Sequence, residues 1–346
     1  MERRRGRGLA RHSTRASYSL MNARQLLELL AIATLLTACG GTHGESSDRI
    51  VVFNAGSLSI PIRAALDSFA AREHVTFAQE NAGSLETARK LTELGQIPDV
   101  IALADYEVFP HYLMPEQVEW YLDFARNRMV LAYTPKSRFA DEISTANWWQ
   151  IVQREGVQVG RSDPNLDPNG YRTLLTMQLA EKHYGVAGLY DSLLAHAPSR
   201  NVRPKEVDLV GLVQAGEMDY IWSYESLATA AGLKFVELPT AIDLSSPADS
   251  ASYATVSVRV RGKTPTDSVT FRGQPIVYAL SIPKGAPHPD VAARFVAYVV
   301  KGNGARIMRA TGLDMLDPPI VVGSGVPAVV ATAAGGGPAG PNGAPR

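Results

Sequence analysis

The string Asn-Ala-Gly-Ser-Leu occurs twice, at 54–58 and at 81–85, each time between a strand-like run and a helix-like run. The glycine of each copy allows a sharp turn, and Ser57 and Ser84 then stand where a helix begins. A helix N-terminus carries unpaired backbone N–H groups and partial positive charge, so it attracts anions. The repeat therefore predicts a pocket for one small oxyanion. The alternative is two ordinary turns in which the serines only cap the helices.

The elements that must position these residues alternate along the chain. Strands are predicted at 50–53, 75–79 and 99–104, and helices at 60–72 and 85–94. Strands alternating with helices indicate a mainly parallel α/β sheet, in which ligands bind beyond the carboxyl ends of the strands. Both copies of the repeat and Asp105 fall at those ends, so we expect these loops to converge.

A second α/β unit is predicted from about residue 143 to about residue 233. Its loop 160–172 is the densest polar stretch of the chain and contains Asp167, Pro168 and Asn169. The Asp-Pro-Asn-Gly order is typical of a turn, in which the aspartate either caps the next helix or faces a ligand. An apolar strand leads into a second polar run, which is interpreted as a pocket wall or as helix caps. This run contains Ser223, Tyr224 and Glu225.

Composition and motifs argue against most other functions. Lysine plus arginine equals aspartate plus glutamate at 34 each, and this balance argues against a nucleic-acid partner. The seven histidines are scattered without metal-ligand spacing. Neither a Gly-x-Ser-x-Gly motif nor a Walker-type loop is present, and no base is identifiable for Ser57 as a nucleophile. We therefore expect a protein that is not an enzyme and needs no cofactor.

The ends of the chain predict export. Residues 1–39 are interpreted as an upstream extension plus a signal peptide that starts at Met21, with a short basic start and an apolar run. Cys39, the one cysteine in the sequence, follows Leu-Thr-Ala as in a bacterial lipoprotein box, which predicts lipidation of that cysteine. Residues 40–48 are read as a flexible tether, and 321–346, rich in Gly, Ala and Pro, as a disordered tail.

Several segments together resemble the tungstate/molybdate-binding proteins of ABC importers. They are Ala55 to Pro61, Ala82-Gly-Ser84, Pro98 to Tyr106, Asp163 to Arg172, Gly232 to Pro239 and Asp243 to Pro247. The resemblance implies a two-lobed periplasmic-binding-protein fold, type II-like, with the ligand cleft between the lobes. Lobe 1 would comprise 49–128 and 239–320, and lobe 2 would comprise 129–238. Two crossing strands would join the lobes, which close on an oxyanion.

The resemblance also implies roles for individual residues. The Gly-Ser turns of the first lobe map onto Ser57 and Ser84, and the aspartate of the Asp-Pro-x-Gly-Tyr turn maps onto Asp167. The family's second carboxylate lies in a Phe-Glu-Tyr segment that is Trp222-Ser223-Tyr224 here, with a glutamate two places later at Glu225. A two-residue step along a strand keeps the same face, so Glu225 either substitutes or points elsewhere and leaves the anion tetrahedral. The residues predicted to bind the ligand are Gly56, Ser57, Gly83, Ser84, Asp105, Asp167, Pro168, Asn169, Ser223, Tyr224 and Glu225, with Asp167 and Glu225 as carboxylate ligands of the metal centre.

These features predict a monomeric substrate-binding lipoprotein of the cell envelope, held on the membrane by Cys39 and facing the periplasm or exterior. It would capture tungstate or molybdate and deliver the oxyanion to an ABC permease and its ATPase. Three alternatives stay open: a carrier of sulfate or phosphate, an exported hydrolase that uses Ser57, and an adhesion or scaffold lipoprotein without a small ligand.

Overall fold

The computed structural model describes residues 49–264 and 266–336; the predicted leader with Cys39, the tether and residues 337–346 lie outside this part. The strands are β1 (Arg49–Ala55), β2 (Thr76–Ala82), β3 (Val100–Leu103), β4 (Trp120–Arg126), β5 (Met129–Tyr133), β6 (Val159–Ser162), β7 (Val202–Arg203), β8 (Tyr220–Tyr224), β9 (Lys234–Glu237), β10 (Ser257–Arg261), β11 (Ser268–Arg272), β12 (Val277–Ser281) and β13 (Asp314–Gly323). The helices are α1 (Ser59–Glu73), α2 (Ser84–Thr92), α3 (Trp148–Ile151), α4 (Pro168–Tyr184), α5 (Leu189–His196), α6 (Val207–Ala215), α7 (Glu225–Ala230), α8 (Ser250–Tyr253), α9 (Pro289–Val300), α10 (Gly302–Ala310) and α11 (Ala328–Ala333).

The first lobe is built on a six-stranded sheet with the order β13-β4-β12-β3-β1-β2. β1 runs parallel to both β2 and β3, whereas β12 and β13 are antiparallel to their neighbours. β1 is buried along nearly its whole length, as expected of a central strand covered by helices on both faces. On one of these helices Phe69 packs edge-on against Phe295, with ring centroids 5.2 Å apart. The predicted parallel core of three strands is therefore present, with antiparallel strands added on one side.

The second lobe is built on a five-stranded sheet with the order β7-β6-β8-β5-β9. β6 runs parallel to β7 and β8, and β5 runs antiparallel to β8 and β9. Its longest helix, α4, begins with Pro168 after the cap Asp167 and ends at Tyr184, followed by the cap Gly185, which has a φ of 65°. Proline at the start and a left-handed glycine at the end are the ordinary sequence signals for helix boundaries.

The polypeptide passes from one lobe to the other at segments that lie close together. β4 of the first sheet ends at Arg126 and β5 of the second begins at Met129, so only two residues connect them. On the returning segment the carbonyl of Asp243 accepts from the amide of Met129 at 2.8 Å. The crossing segments are therefore hydrogen-bonded to each other. Among the described residues no helix is both long enough and apolar enough to cross a membrane.

Three parts of the fold differ from the sequence-based expectation. The strand β4 and the β10–β11 hairpin had no predicted counterpart, and the hairpin packs on α4, where Phe271 stacks on Tyr171 with ring centroids 4.5 Å apart. Residues 321–336 are not a disordered tail, because β13 pairs with β4 and α11 buries Val330 completely. Val321 and Val330 supply the apolar surface that the Gly, Ala and Pro residues around them lack.

Candidate functional site

The two copies of the repeat lie side by side in matched register. β1 pairs with β2 so that Asn54 faces Asn81 and Ala55 faces Ala82, and the 27-residue spacing of the repeat equals the register offset. Asn54 Nδ2 donates to Asn81 Oδ1 at 2.7 Å, which ties the copies together. Because adjacent strands lie about 5 Å apart, the following Gly-Ser pairs emerge as neighbours at the carboxyl edge of the sheet. The predicted convergence of the two copies is therefore what the structure shows.

Neither serine caps a helix. Ser57 lies in a short turn, Gly56–Leu58, and Ser84 is the first residue of α2; neither helix start has a side-chain cap. Instead, the Tyr278 hydroxyl donates to Ser57 Oγ at 2.9 Å. The Ala104 amide donates to Ser84 Oγ at 3.0 Å, and both serines are buried. Since each hydroxyl oxygen already accepts a hydrogen bond, each serine keeps its own proton to donate.

The second lobe approaches the second copy so closely that only glycine fits there. A Cβ on Gly83 would lie 2.1 Å from the carbonyl oxygen of Leu166. That oxygen accepts from the amides of Leu85 at 3.1 Å and Glu86 at 3.2 Å. Two of the backbone amides that were predicted to be free for an anion at this helix start are therefore hydrogen-bonded within the protein. The Ser84 hydroxyl is therefore the donor through which this copy of the repeat would bind an anion.

Asp167 both caps α4 and holds the opposite wall of the cleft. Its Oδ1 accepts from the amide of Asn169 at 3.3 Å, and its Oδ2 accepts from the amide of Glu206 at 2.7 Å. Burial raises the pKa of the Asp167 carboxyl to about 6, against the two amide hydrogen bonds, which lower it. Asn169 is fully buried, and its Oδ1 accepts from the Ser162 hydroxyl at 3.3 Å. Pro168 occupies the first helical position between them, so all three residues form the start of α4.

The sequence reasoning missed the carboxylate of Glu206. This side chain is almost completely buried, and its Oε1 accepts from the Ser223 hydroxyl and from the Tyr224 amide, both at 2.6 Å. Its Oε2 is buried without any hydrogen-bond partner among the described residues. Burial raises the pKa of the Glu206 carboxyl well above its usual range, and the charge of Asp167 raises it further. The sequence offered only an acidic residue before a helix, which ordinarily neutralises the helix dipole.

Glu225 does not occupy the position predicted for it from the sequence. β8 ends at Tyr224, so Glu225 is the first residue of α7 and the two-residue strand step does not apply. Its carboxylate instead forms a two-point ion pair with Arg128, at 2.6 Å and 2.7 Å, on the partly exposed side of the crossing segment. Ser223, by contrast, is fully buried and faces Glu206. The carboxylate beside Ser223 therefore comes from Glu206, the residue that precedes α6, and not from α7.

Asp105 joins the lobes through buried partners of α4. Its Oδ2 accepts from the Tyr171 hydroxyl and lies 3.0 Å from a guanidinium nitrogen of Arg172, while its Oδ1 accepts from the Glu107 amide. Arg172 is itself buried and also donates to the carbonyl of Ala104 at 2.6 Å. The structure thus directs Asp105 toward the other lobe's arginine and tyrosine. The carboxylate anchors Arg172 at the rim of the serine turns.

Further contacts across the cleft put the two lobes in a closed arrangement. The Lys205 ammonium of the second lobe donates to the carbonyl of Asn81 at 3.0 Å. The Arg172 guanidinium links the lobes through the Ala104 carbonyl and Asp105 of the first lobe, and it also donates to the Tyr224 hydroxyl of its own lobe at 2.8 Å. No group of three or more His, Cys, Asp or Glu residues arranged to hold a metal cation occurs in the part of the chain that the structure describes. The polar groups that line the cleft are hydroxyl, amide and carboxyl groups.

Comparison with known proteins places this arrangement in a family. The model of the bacterial extracellular solute-binding proteins matches residues 50–314. This chain belongs to that family. An uncharacterised solute-binding protein of Petrotoga mobilis is 46% identical over 78% of this chain and 84% of the relative. The molybdate/tungstate-binding protein WtpA of Pyrococcus abyssi is 35% identical over 85% of this chain and 94% of its own length, which confirms the resemblance seen in the sequence.

Among solved structures, the periplasmic molybdate-binding protein of Azotobacter vinelandii superposes with a TM-score of 0.55 at 14% identity. The match covers 76% of this chain and 98% of that protein. At this identity it speaks for the fold alone. The predicted fold class, two α/β lobes with a cleft between them, is confirmed.

Proposed function

We propose that this solute-binding protein captures tungstate or molybdate outside the cytoplasm and passes it to an ABC permease. The observation that carries the proposal is the pair of register-matched Gly-Ser turns, whose buried hydroxyls each keep a proton to donate. Buried donors on neighbouring turns suit a small oxyanion, because few water molecules screen the interaction there. Turns of glycine and serine at the carboxyl edge of the sheet also lie where such folds bind their ligands.

The choice of anion rests on the carboxylate side of the cleft. With a pKa of about 6, Asp167 is ionised at neutral pH, so it opposes a closed tetrahedral dianion such as sulfate. A tungsten or molybdenum centre is a hard Lewis acid that accepts a further oxygen ligand, so Asp167 would bind it instead of repelling it. The Pyrococcus abyssi relative named for both oxyanions supports the same ligands. Replacement of Asp167 by alanine is then expected to weaken tungstate binding by well over tenfold.

The proposed delivery of the oxyanion to the permease depends on the closed arrangement of the lobes. The oxyanion is cargo, no bond of it is broken, and no cofactor is required. Binding energy favours the closed lobes, and the closed monomer is the form that the permease would recognise. We further propose that lipidated Cys39, which lies outside the described residues, tethers the protein to the membrane. Mass spectrometry of the mature chain tests this, because a chain that retains residues before Cys39 would contradict the anchor.

A thermal shift series tests the ligand. Tungstate, molybdate, sulfate and phosphate are each added to the protein, and tungstate or molybdate is expected to raise the unfolding temperature at micromolar concentration. Ser57→Ala is expected to reduce that shift, while the surface variant Glu225→Ala should keep it. A response to sulfate or phosphate alone would favour the other carriers. Esterase turnover that Ser57→Ala abolishes, with no response to any oxyanion, would favour a hydrolase.

A further inference from the structure

The first lobe has a cavity on the face of its sheet that is opposite to the first Gly-Ser turn. The cavity has a volume of about 370 Å³ and is lined by residues of β4, β12 and β13, among them Val277. The next residue, Tyr278, points to the other face of β12, because successive side chains of a strand alternate, and its hydroxyl donates to Ser57. The cavity is therefore separate from the cleft between the lobes, and its volume suits a small organic molecule.

An irregularity in β4 directs two charged side chains into this cavity. The register of β4 shifts between Asp123 and Ala125 on both sides, so Phe124 faces no residue of either β12 or β13. An extra residue in a strand changes the face on which the following side chains lie. Asp123 and Arg126 therefore both line the cavity, although they are three positions apart.

The carboxyl group of Asp123 lacks a partner. Asp123 is only 8% exposed, and its Oδ1 is buried without a hydrogen-bond partner in the part of the chain that the structure describes. Arg126 lines the same cavity but does not donate to this oxygen. A buried polar atom without a partner is costly unless a proton, a water or a ligand satisfies it. The cavity thus presents a buried acceptor to whatever enters it.

The rest of the wall is aromatic and aliphatic. The rings of Tyr106 and Tyr121 both line the cavity and lie nearly parallel, with centroids 6.4 Å apart. The Tyr106 hydroxyl donates to Gln274 Oε1 at 2.8 Å, so its proton is not free for Asp123. Burial raises the pKa of both tyrosine hydroxyls, which are therefore neutral at neutral pH. The aliphatic part of the wall consists of Val277, Leu316, Ile320 and Val322.

The charges around Asp123 favour a cation. Burial raises the pKa of the Asp123 carboxyl to about 8, and the charges of Asp105 and Glu107 raise it further. Asp105 is ion-paired with Arg172, and Glu107 lies 3.1 Å from His111, yet both carboxylates still add negative potential at Asp123. A cation that enters the cavity would be attracted by these charges, whereas an anion would be repelled.

We propose that this cavity binds a small organic ammonium ion, which donates a hydrogen bond to Asp123 Oδ1 and packs its apolar body against the tyrosine rings and the aliphatic wall. A primary ammonium group has three N–H donors, so it satisfies the buried oxygen. The faces of tyrosine rings also attract such cations. This second site does not depend on the identity of the oxyanion in the cleft.

Calorimetric titration with phenethylamine tests the inference, and 2-phenylethanol is the matched probe with a neutral hydroxyl in place of the ammonium group. At about pH 8.5 an alkylamine is still charged, since the similar lysine side chain has a pKa of about 10.4. The wild type is expected to bind phenethylamine at least about tenfold more tightly than 2-phenylethanol, because a hydrogen bond between two charged groups is stronger. Asp123→Asn keeps the shape of the side chain and should reduce this preference to less than about threefold.

Asp67→Asn is the matched control, because it removes an equal charge from an exposed ion pair on α1 and should keep the wild-type preference. Val322→Trp adds a large ring to the cavity wall and should weaken the binding of both probes, whatever the stability of Asp123→Asn. A wild type that does not bind phenethylamine at about 10 mM would mean that the cavity holds only water, and it would overturn the inference. The inference also fails if Asp123→Asn keeps the tenfold preference, or if Val322→Trp binds phenethylamine as the wild type does.

Discussion

Replacement of Gly83 by alanine is expected to prevent full closure of the lobes without disturbing the lobe that carries it. Gly83 has φ −65° and ψ 148°, an extended conformation that alanine adopts without strain. The added methyl group would lie 2.1 Å from the carbonyl oxygen of Leu166 on the facing lobe. Carbon and oxygen rest at about 3.3 Å, so the lobes would have to separate by about 1 Å.

The magnitude follows from the contacts that this separation breaks. The amides of Leu85 and Glu86 reach the same carbonyl at 3.1 Å and 3.2 Å, and both bonds would lengthen beyond hydrogen-bonding range. Each such bond contributes about 0.5–1.5 kcal/mol net, so the closed state loses about 1–3 kcal/mol. Because tight binding requires the closed state, tungstate affinity should fall by about 5- to 150-fold.

Calorimetry with tungstate and small-angle scattering of the liganded protein measure this effect. The control is Gly211→Ala on α6, where an added Cβ meets nothing within 4 Å and alanine favours the helix. The unfolding temperature of the unliganded Gly83→Ala protein should stay near that of the wild type. Affinity within twofold of the wild type would show that the contact between Gly83 and Leu166 plays no part in the liganded state.

Three further changes test other parts of the site and fold. Ser84→Ala removes a hydroxyl that would donate to an anion, and calorimetry should show tungstate affinity lower by about 10- to 150-fold; an unchanged affinity would place the anion elsewhere. Asp105→Asn leaves Arg172 buried without its counter-charge, and urea unfolding should show a loss of about 3–5 kcal/mol; an unshifted midpoint contradicts the importance of that pair. Val330→Asp puts a charge at a fully buried position of α11 and should lower the melting temperature by several degrees. Val329→Asp, at a neighbouring residue that is 44% exposed, should change the free energy of unfolding by less than about 0.5 kcal/mol. Equal effects of the two variants would mean that α11 does not pack as described.

Local sequence patterns gave the elements of both lobes because hydrophobic periodicity and turn residues act over short distances. The helices predicted at 60–72 and 85–94, for example, agree with α1 and α2 to within two residues at each end. Two of the strands that were missed, β4 and β13, pair with each other across almost two hundred residues. Their partners are remote, and their sequences contain charged residues or prolines that weaken the local signal.

The position of the second carboxylate shows most clearly what local sequence patterns do not predict. Glu225 has the right residue type near the right strand, but the strand ends one residue before it and Arg128 binds its side chain. Glu206 stands in an unremarkable Pro-Lys-Glu-Val segment, seventeen residues before Ser223. Only the packing of α6 against β8 brings that carboxylate beside the serine.

The sequence by itself determined the two Gly-Ser turns, because a repeat whose spacing equals the strand register places them together whenever the strands pair in parallel. It also predicted a turn at Asp167 that leads into a helix, since the Asp-Pro-Asn-Gly order is typical of such a turn, but it left open whether the aspartate caps that helix, as the structure shows, or faces a ligand. The tertiary structure decided which carboxyl group faces the serines, how far the lobes close and which residue anchors Arg172. These depend on contacts between lobes that are distant in sequence, and no local pattern encodes them.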